Sequence, residues 1–260
     1  MNSQCALVLT TMNYLDITQE CLLSLYDSTR IPFHLIVVDA SDTTDTVDYI
    51  SEAFPEADII RLDSRYWVAY AWNRGIERAM EYGADYIGLL NNDITFRPGW
   101  LKPLIDTFSI QTPCPVGMVG PVVYNISGYY ESPALDKMSS KVYPVHTLMG
   151  CTFLLSKQAI QNTGMVDERY LNSHDEVDYC YRLWGKGYMV MCNTTSRVIH
   201  RGGTVRQETN ITEAWRAINN RYNLKVLHPY DLWQVVLRDY RKDGTISKYS
   251  SIINAWSRYY

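Results

Sequence analysis

The first 90 residues alternate between continuous apolar runs and segments whose apolar residues recur at helical spacing. Continuous apolar runs are typical of strands covered on both faces, and here they occupy residues 5–11, 33–41 and 86–90, while residues 58–63 (DIIRLD) are predicted as a further strand. The segments between them, with apolar residues three and four apart, occupy residues 16–29, 43–54 and 67–82. Asp16 and Gln19 resemble a capping box at the start of the first helix. The β-α-β-α-β-α-β order predicts a parallel, doubly wound, Rossmann-like α/β sheet.

The pattern becomes less regular after Pro98. The helices predicted there occupy residues 99–108, a short segment ending at Gly164 and a segment from about Asp175. The predicted strands occupy residues 116–124, 147–155, 188–192 and 197–200. Residues 125–145 form an irregular segment, and the residues from Thr212 onward show mostly helical spacing. We therefore expect a boundary between residues 93 and 100, and a helical C-terminal extension over residues 211–260.

The composition is that of an ordinary globular domain. Hydrophobic residues make up 47% and charged residues 20% of the 260 residues, so the chain can bury a full core. Lys and Arg number 24 against 28 Asp and Glu, which gives a formal net charge of −4. Because binding to a phosphate backbone favours a positive surplus, no nucleic acid is expected as a partner.

The sequence favours a cytoplasmic protein. No apolar run approaches the roughly 18 residues of a transmembrane helix, and residues 1–14 lack the basic start and cleavage site of a signal peptide. The six cysteines are scattered without a CxxC pair, which favours buried, reduced thiols over a zinc or redox site.

Polar side chains follow the predicted strands at the end where open α/β sheets bind ligands. These residues are Thr10, Thr11 and Asn13 after the first strand, Asp39 and Ser41 after the second, and Asn91, Asn92 and Asp93 after the fourth. The chain lacks both GxGxxG and GxxxxGK[ST], so a bound nucleotide needs another partner for its phosphates. A divalent metal shared between a carboxylate and the phosphates is the simplest such partner.

A wider set of motifs contains these residues. The motifs are VVDAS with Asp39, AWNRGI with Asn73 and Gly75, LLNNDI with Asp93, GCTFLLSKQAI with Gly150, GMVDERYLNSHDEVDYCYRLWGKGY, and VIHRGG with His200. In this order, from about residue 5 to about residue 225, they resemble glycosyltransferase family 2 of the GT-A fold. The resemblance is greatest to the bacterial rhamnosyltransferase-like branch that builds surface polysaccharides. It implies a nucleotide-diphosphate sugar donor, Mn²⁺ or Mg²⁺ as cofactor, and inversion at the anomeric carbon.

The resemblance also implies roles on the donor side. Thr10, Thr11 and Asp39 match positions that hold the base and ribose, and Asn13 follows them at the same strand end. Asn73 matches a position that lines the nucleotide pocket.

A second group of matches concerns the diphosphate and the metal. Asn91, Asn92 and Asp93 stand at the family's D-x-D or N-x-D motif, which implies that the two asparagines face the nucleotide and that Asp93 binds the metal. His200 matches a histidine that completes the metal–diphosphate site. Gly150 allows the backbone to approach the sugar or the acceptor. Taken alone, Asp93 is also an ordinary turn residue, and His200 an ordinary packed histidine.

The catalytic base is predicted within an acidic stretch. The family's E-D-x-D sequence falls on residues 175–178, and its base falls on Glu176. Because the family usually has Asp at that position, the base stays open between Glu176 and Asp175. Both also stand at the start of a predicted helix, where acidic residues complement the helix dipole. Asp178 can form a surface ion pair with Arg182, four residues later.

We therefore expect an inverting, metal-dependent glycosyltransferase over residues 1–210, with a nucleotide-binding half (1–97) and an acceptor-binding half (98–210) that share one sheet. It moves a sugar from a UDP- or dTDP-sugar to a hydroxyl of a glycan or lipid-linked acceptor by single displacement. Residues 211–260 could contact the membrane surface or a second copy of the chain.

Two other functions stay open at this point. Because Asn91 and Glu176 depart from the family's usual residues, one alternative is a sugar-nucleotide-binding protein with weak or no turnover. A nucleotidyltransferase is the other, but it needs a glycine- and basic-rich loop after the first strand, and TTMNYLD offers none.

Overall fold

The structure, a computed structural model of the chain, describes residues 4–63, 68–125, 141–168 and 175–202. The strands are β1 (Cys5–Thr11), β2 (His34–Asp39), β3 (Asp58–Arg61), β4 (Tyr86–Asn91), β5 (Ile94–Phe96), β6 (Val116–Asn125), β7 (Val142–Pro144), β8 (Thr152–Ser156) and β9 (Met189–His200). The helices are α1 (Leu15–Ser28), α2 (Asp45–Ala53), α3 (Val68–Tyr82), α4 (Leu101–Thr107), α5 (Lys157–Thr163) and α6 (Asp175–Gly185).

Within the described residues, all strands belong to one sheet in the order β3-β2-β1-β4-β8-β6-β9-β5, and β7 pairs with another part of β9. Strands β1 to β4 are mutually parallel. Strand β8 runs antiparallel to β4 and β6, and β9 runs parallel to β6. Strands β5 and β7 run antiparallel to β9. Most strands therefore point the same way, which confirms the predicted α/β class with a mostly parallel sheet.

Helix α3 covers one face of the first strands with the side chains that its periodicity predicts. The periodicity puts Ala69, Trp72, Ile76, Ala79 and Met80 on one face; the first four are buried, and Met80 packs partly buried against the core. The helix lies unusually close to β1, because a Cβ on Gly75 would stand 2.1 Å from Cγ1 of Val8. Glycine is thus required at this contact to let helix and strand approach.

Two local predictions in the first half and the centre of the chain are wrong. The capping box is absent, since Tyr14 holds the N-cap position of α1 in the left-handed region and its side chain makes no capping hydrogen bond. The carbonyl of Tyr14 accepts the first intrahelical hydrogen bond, from the backbone N–H of Thr18 (3.1 Å). The strand predicted over 147–155 begins only at Thr152, because residues 150 and 151 form a turn.

The last described strand also differs from prediction. The sequence favours two strands over 188–200, whereas β9 is continuous. The polar residues in its middle belong to an irregularity where the pairing with β6 shifts register. There Asn193 Oδ1 accepts hydrogen bonds from the backbone N–H (3.0 Å) and hydroxyl (2.7 Å) of Thr195. Strands β5 and β7, of three residues each, were not predicted.

The predicted helical extension 211–260 lies outside the described residues. Among the helices that are described, none is long and apolar enough to span a bilayer.

Candidate functional site

The carboxyl ends of the parallel strands bring most of the predicted site residues to one edge of the sheet. Thr10 is in register with Asn91, and Thr11 with Asp39. His200, at the end of β9, is in register with Ile94, the residue after Asp93. Strand β8 runs the opposite way, so its beginning reaches this edge, where the N–H of Asn91 donates to the carbonyl of Cys151 (2.9 Å).

Asp39 is fully buried and is held by three neighbouring side chains. Its Oδ1 accepts hydrogen bonds from the hydroxyls of Thr11 (2.6 Å) and Ser41 (2.5 Å). Its Oδ2 forms an ion pair with Arg61, whose side chain is one-third exposed. Partners of this kind are what a buried carboxylate requires, since burial without them is costly. The carboxylate is therefore fixed in place before any ligand arrives.

Asn13 joins the two loops that follow β1 and β2. Its N–H donates to the Ser41 hydroxyl (2.7 Å), its Nδ2 donates to Asp42 Oδ2 (3.0 Å), and its Oδ1 accepts from the N–H of Asp42 (2.9 Å). Asn13 and Tyr14 both have left-handed backbones, with φ of 60° and 55°. Asn tolerates this region better than most residues. Asn13 thus supports the Asp39 pocket through its loops.

The carboxylate of Asp93 faces His200, with 3.3 Å between Oδ2 and Nε2. Burial opposes ionisation of Asp93, yet the hydrogen bond and charge of His200, together with backbone N–H groups that include Gly202, hold the pKa of Asp93 below its ordinary value. The other oxygen, Oδ1, is buried and has no hydrogen-bond partner among the described residues. An ionised carboxylate with one oxygen unused is a suitable ligand for a hard divalent cation.

Asp93 and His200 fit a metal that takes its remaining ligands from the substrate. Within the described parts of the chain there is no group of three or more His, Cys, Asp or Glu side chains able to hold a metal. Mg²⁺-type sites commonly use one or two carboxylates plus substrate phosphates and water. The donor set therefore suits a cation shared with a bound diphosphate.

The two asparagines before Asp93 differ in their surroundings. Asn91 Oδ1 is buried without a hydrogen-bond partner in the described structure, so it is available to a ligand. Asn92 Nδ2 donates to the hydroxyl of Thr18 on α1 (2.9 Å). The hydroxyl of Thr10 lies 3.4 Å from the carbonyl of Leu90.

Glu176 lies against Gly150 at the start of α6. A Cβ on Gly150 would stand 2.8 Å from Cδ and 3.0 Å from Oε2 of Glu176, so a side chain at position 150 would displace this carboxylate from its present place. The adjacent Asp175 is buried, with 3% of its surface exposed. Burial, and next the negative charge of Glu176, raise the pKa of Asp175 well above its ordinary value. The half-buried Glu176 is the more accessible of the two carboxylates.

Asp178 is not on the surface, contrary to prediction. Its side chain is fully buried and accepts a hydrogen bond from Arg182 Nε (2.8 Å), whose side chain is 18% exposed. Arg182 also donates from Nη1 to the carbonyl of Thr163 (3.1 Å). The pair therefore connects α6 to the end of α5.

Asn73 is buried and bonds to the segment after α5. Its Nδ2 donates to the carbonyl of Val166 (2.9 Å) and to Glu168 Oε1 (2.8 Å), and its Oδ1 accepts from the N–H of Val166 (3.0 Å). Both ends of the amide are used within the protein.

Sequence reasoning missed Arg61 and Glu168. Arg61 ends β3 directly in register with Asp39, so counting polar residues at every strand end would have found it. Glu168 stands 95 residues from its partner Asn73 and carries no such signal.

Comparison with known proteins gives a family and a fold. Residues 6–164, more than half of the chain, match the family described as Glycosyl transferase family 2. This match contains the residues from Thr10 to Gly150 but ends before Glu176 and His200. No curated protein sequence matches the chain.

Several solved structures share the fold at low identity. A crystal structure of GalNAc-T7 with UDP, GalNAc and Mn²⁺ matches 80% of this chain and 45% of that one, with 14% identity and a TM-score of 0.64. Crystal structures of S. aureus TarS, as the longer chain and as its residues 1–349, match 76% of this chain with TM-scores of 0.60, at 12% and 14% identity. The chain spans only 37% and 60% of those two structures. They confirm the predicted GT-A fold, and the protein belongs to glycosyl transferase family 2.

Proposed function

We propose that the protein is an inverting, metal-dependent glycosyltransferase that uses a UDP- or dTDP-sugar. Family membership supports a glycosyltransferase with a nucleotide-sugar donor. The observation that carries the finer proposal is the buried, ionised Asp93, which has one unused oxygen and faces His200. It lies at the same sheet edge as Asp39, as open α/β sheets require of a ligand site.

The donor is held by residues at the ends of β1, β2 and β4. Asp39, fixed by Thr11, accepts a hydrogen bond from the base, while Thr10 and Asn91 face the ribose and diphosphate. Asn13 and Asn92 support the donor site indirectly, because the side chain of Asn13 bonds to Asp42 and that of Asn92 bonds to Thr18.

Asp93 and His200 would hold Mn²⁺ or Mg²⁺ beside the diphosphate. When bound, such an ion stabilises the negative charge of the leaving diphosphate. The similarity to a GalNAc-T7 structure that contains UDP and Mn²⁺ supports this assignment.

Glu176 acts as the general base. Its carboxylate takes the proton of an acceptor hydroxyl while the hydroxyl oxygen attacks the anomeric carbon. The bond from that carbon to the diphosphate breaks in the same step, so the configuration inverts. Gly150 leaves the room that the Glu176 carboxylate occupies, and its backbone is the group that approaches the sugar or the acceptor.

We assign the acceptor by class only. We place the protein in the rhamnosyltransferase-like branch, as a hexosyl- or deoxyhexosyltransferase with a glycan or lipid-linked acceptor in polysaccharide synthesis. A cytoplasmic location, with contact to a membrane surface or a second copy through residues 211–260, belongs to the same proposal.

Thermal unfolding with UDP, dTDP, GDP and CMP, each with and without Mn²⁺, tests the donor site. A ligand at 100 times its Kd that binds only the folded state adds about 2.7 kcal/mol to stability. We expect a rise in Tm with UDP or dTDP that depends on Mn²⁺, and its loss in Asp93→Ala.

Asp85→Ala is the matched control, because Asp85 is an exposed residue at the opposite end of β4. It should keep the full Mn²⁺-dependent shift. If folded wild-type protein shows no shift with any nucleotide, the proposal fails and only the fold remains.

A further inference from the structure

We infer that Asn73 is a positioning residue that sets the place of Glu176 relative to the donor site, rather than a contact of the nucleotide. It does so through a set of hydrogen bonds, here called the bracket, formed by Asn73, residues 163–168, Tyr179 and Arg182. The inference rests on the proposed function, in which Glu176 is the base.

Asn73 makes two hydrogen bonds to the backbone of a single residue, Val166. Its amide both donates to and accepts from Val166, at 2.9 and 3.0 Å, as a neighbouring strand would. A further bond joins it to Glu168 (2.8 Å). Asn73 is only 2% exposed, so exchanging these bonds for bonds to a ligand would leave buried backbone groups unpaired, which is costly.

Helix α6 holds the other side of the same segment. The hydroxyl of Tyr179 donates to the carbonyl of Gly164 (2.9 Å), and Arg182 donates to the carbonyl of Thr163 (3.1 Å). The buried Asp178 orients Arg182, whose guanidinium also lies over the Tyr179 ring at 4.6 Å. Tyr179 stands one helical turn after Glu176, so the segment that Asn73 grips also fixes the start of α6.

The helix that carries Asn73 is itself fixed to the donor side. Gly75, two residues after Asn73, lies in direct contact with Val8 of β1. The same strand ends in Thr10 and Thr11, at the donor edge. A continuous series of contacts thus runs from β1 through α3 and the bracket to Glu176, and it connects the donor-binding edge to the base.

The test uses Asn73→Ala and Tyr179→Phe, which remove opposite ends of the bracket. Turnover of UDP-glucose and dTDP-rhamnose, with water as the acceptor of the sugar, is measured as released UDP or dTDP, and binding is measured with UDP or dTDP and Mn²⁺. A misplacement of about 1 Å can cost about 100-fold in rate. In each variant we expect kcat to fall by about tenfold or more, which is within that range. The Kd for nucleotide and Mn²⁺ should not change. The double variant should lose less than the product of the two single losses, because both act through one segment.

Asn193→Ala is the matched control. Asn193 is also a buried asparagine, and it bonds to the carbonyl of Pro103 and to Thr107, both at 2.9 Å, away from the bracket. It should lower Tm but keep kcat. A kcat loss in Asn193→Ala equal to that in Asn73→Ala would overturn the inference, as would weaker nucleotide binding with unchanged kcat in Asn73→Ala.

Hydrogen exchange separates failure of the inference from failure of the proposed function. If the wild-type protein binds nucleotide but transfers no sugar, the proposed function fails. Faster exchange in α6 amides of Asn73→Ala, with unchanged exchange in β2, still supports the bracket. Unchanged exchange in α6 overturns it. Tyr179→Phe keeps the aromatic ring and its packing. The same exchange measurement can therefore be made on this variant if Asn73→Ala does not fold.

Discussion

Adjacent carboxylates at the start of α6 have different surroundings. Asp175 is almost wholly buried, and its pKa is raised by burial and by the charge of Glu176. Glu176 is half-buried and lies beside Gly150. A general base must be ionised and must reach its substrate. At the residue scale, these differences favour Glu176 where the sequence left two candidates.

Glu176→Gln should abolish transfer and spare donor binding. General base catalysis contributes about 10²–10⁴-fold in rate, so we expect a kcat loss of that order with an unchanged Tm shift from nucleotide and Mn²⁺. Asp175→Asn is the matched variant and should retain transfer. If Glu176→Gln transfers sugar and Asp175→Asn does not, Asp175 is the base. Nucleotide binding without transfer by the wild type would favour the binding-protein alternative.

Asp175→Asn should also make the protein more stable at neutral pH. Because the folded pKa of Asp175 is raised, the unfolded chain loses this proton first as pH rises. Wild-type stability therefore falls from the unfolded pKa up to the folded pKa and stays reduced above it. Asn carries no such proton, so the gain in the free energy of unfolding should be largest near pH 7.5 and shrink toward pH 4.

Urea unfolding at the two pH values measures this difference. Asp106→Asn on α4 is the control, because Asp106 is exposed and pairs with Lys102 at the surface (2.7 Å). Its effect should be small at both pH values. A gain in Asp175→Asn that is the same at both pH values would show that the charge of Asp175 is not its source.

At the scale of elements, the position of α3 depends on one close contact with β1. A Cβ at Gly75 would overlap Val8 at 2.1 Å, and both residues are buried. Gly75→Ala should therefore lower the free energy of unfolding by about 1–3 kcal/mol, as overpacking does, although alanine favours helix more than glycine.

A double-mutant cycle with Val8→Ala checks this cause. Removing the Val8 methyls makes room for the new Cβ, so the double variant should lose less stability than the sum of the two single losses, by at least about 0.5 kcal/mol. Urea unfolding of the four proteins gives the values. Strict additivity would mean that Gly75 acts through something other than contact with Val8.

Element prediction succeeded where burial imposes a simple pattern. Strands β1, β2 and β4 are buried along most of their length, so their apolar runs were sufficient to find them, whereas the edge strand β3 is only partly buried. Strand β5 has only three residues, and β9 contains a polar interruption around Asn193 that its hydrogen bonds to Thr195 explain. The predicted cap of α1 was wrong because the left-handed Asn13 and Tyr14 set the start of that helix.

At the scale of the whole molecule, one sheet joins the two halves. Strand β8 pairs with β4 on one side and with β6 on the other. The buried Phe153 of β8 contacts Trp72 of α3 edge to face, with ring centroids 5.5 Å apart. The core is therefore continuous across the predicted boundary at residues 93–100.

Phe153→Ala should destabilise both halves together. Loss of a buried phenylalanine costs about 3–5 kcal/mol, and a shared core transmits that loss to β2 as well as to β9. Hydrogen exchange followed by mass spectrometry should show the slowest amides of both strands losing the same free energy. Leu23→Ala, at an exposed position on α1, should leave the exchange of the slowest amides in β2 and in β9 unchanged. Protection retained in β2 but lost in β9 would show that the halves unfold separately.

The sequence by itself determined the α/β class, the order of the major elements and the polar residues at the strand ends. These follow from local patterns, since burial fixes which residues are apolar and parallel strands end at one edge. The family resemblance had placed Asp93 and His200 at one metal site, but only the tertiary structure showed that Arg61 pairs with Asp39, that Glu176 lies against Gly150 and that Asn73 bonds to Val166. Register and long-range packing make these contacts, and no local pattern encodes them.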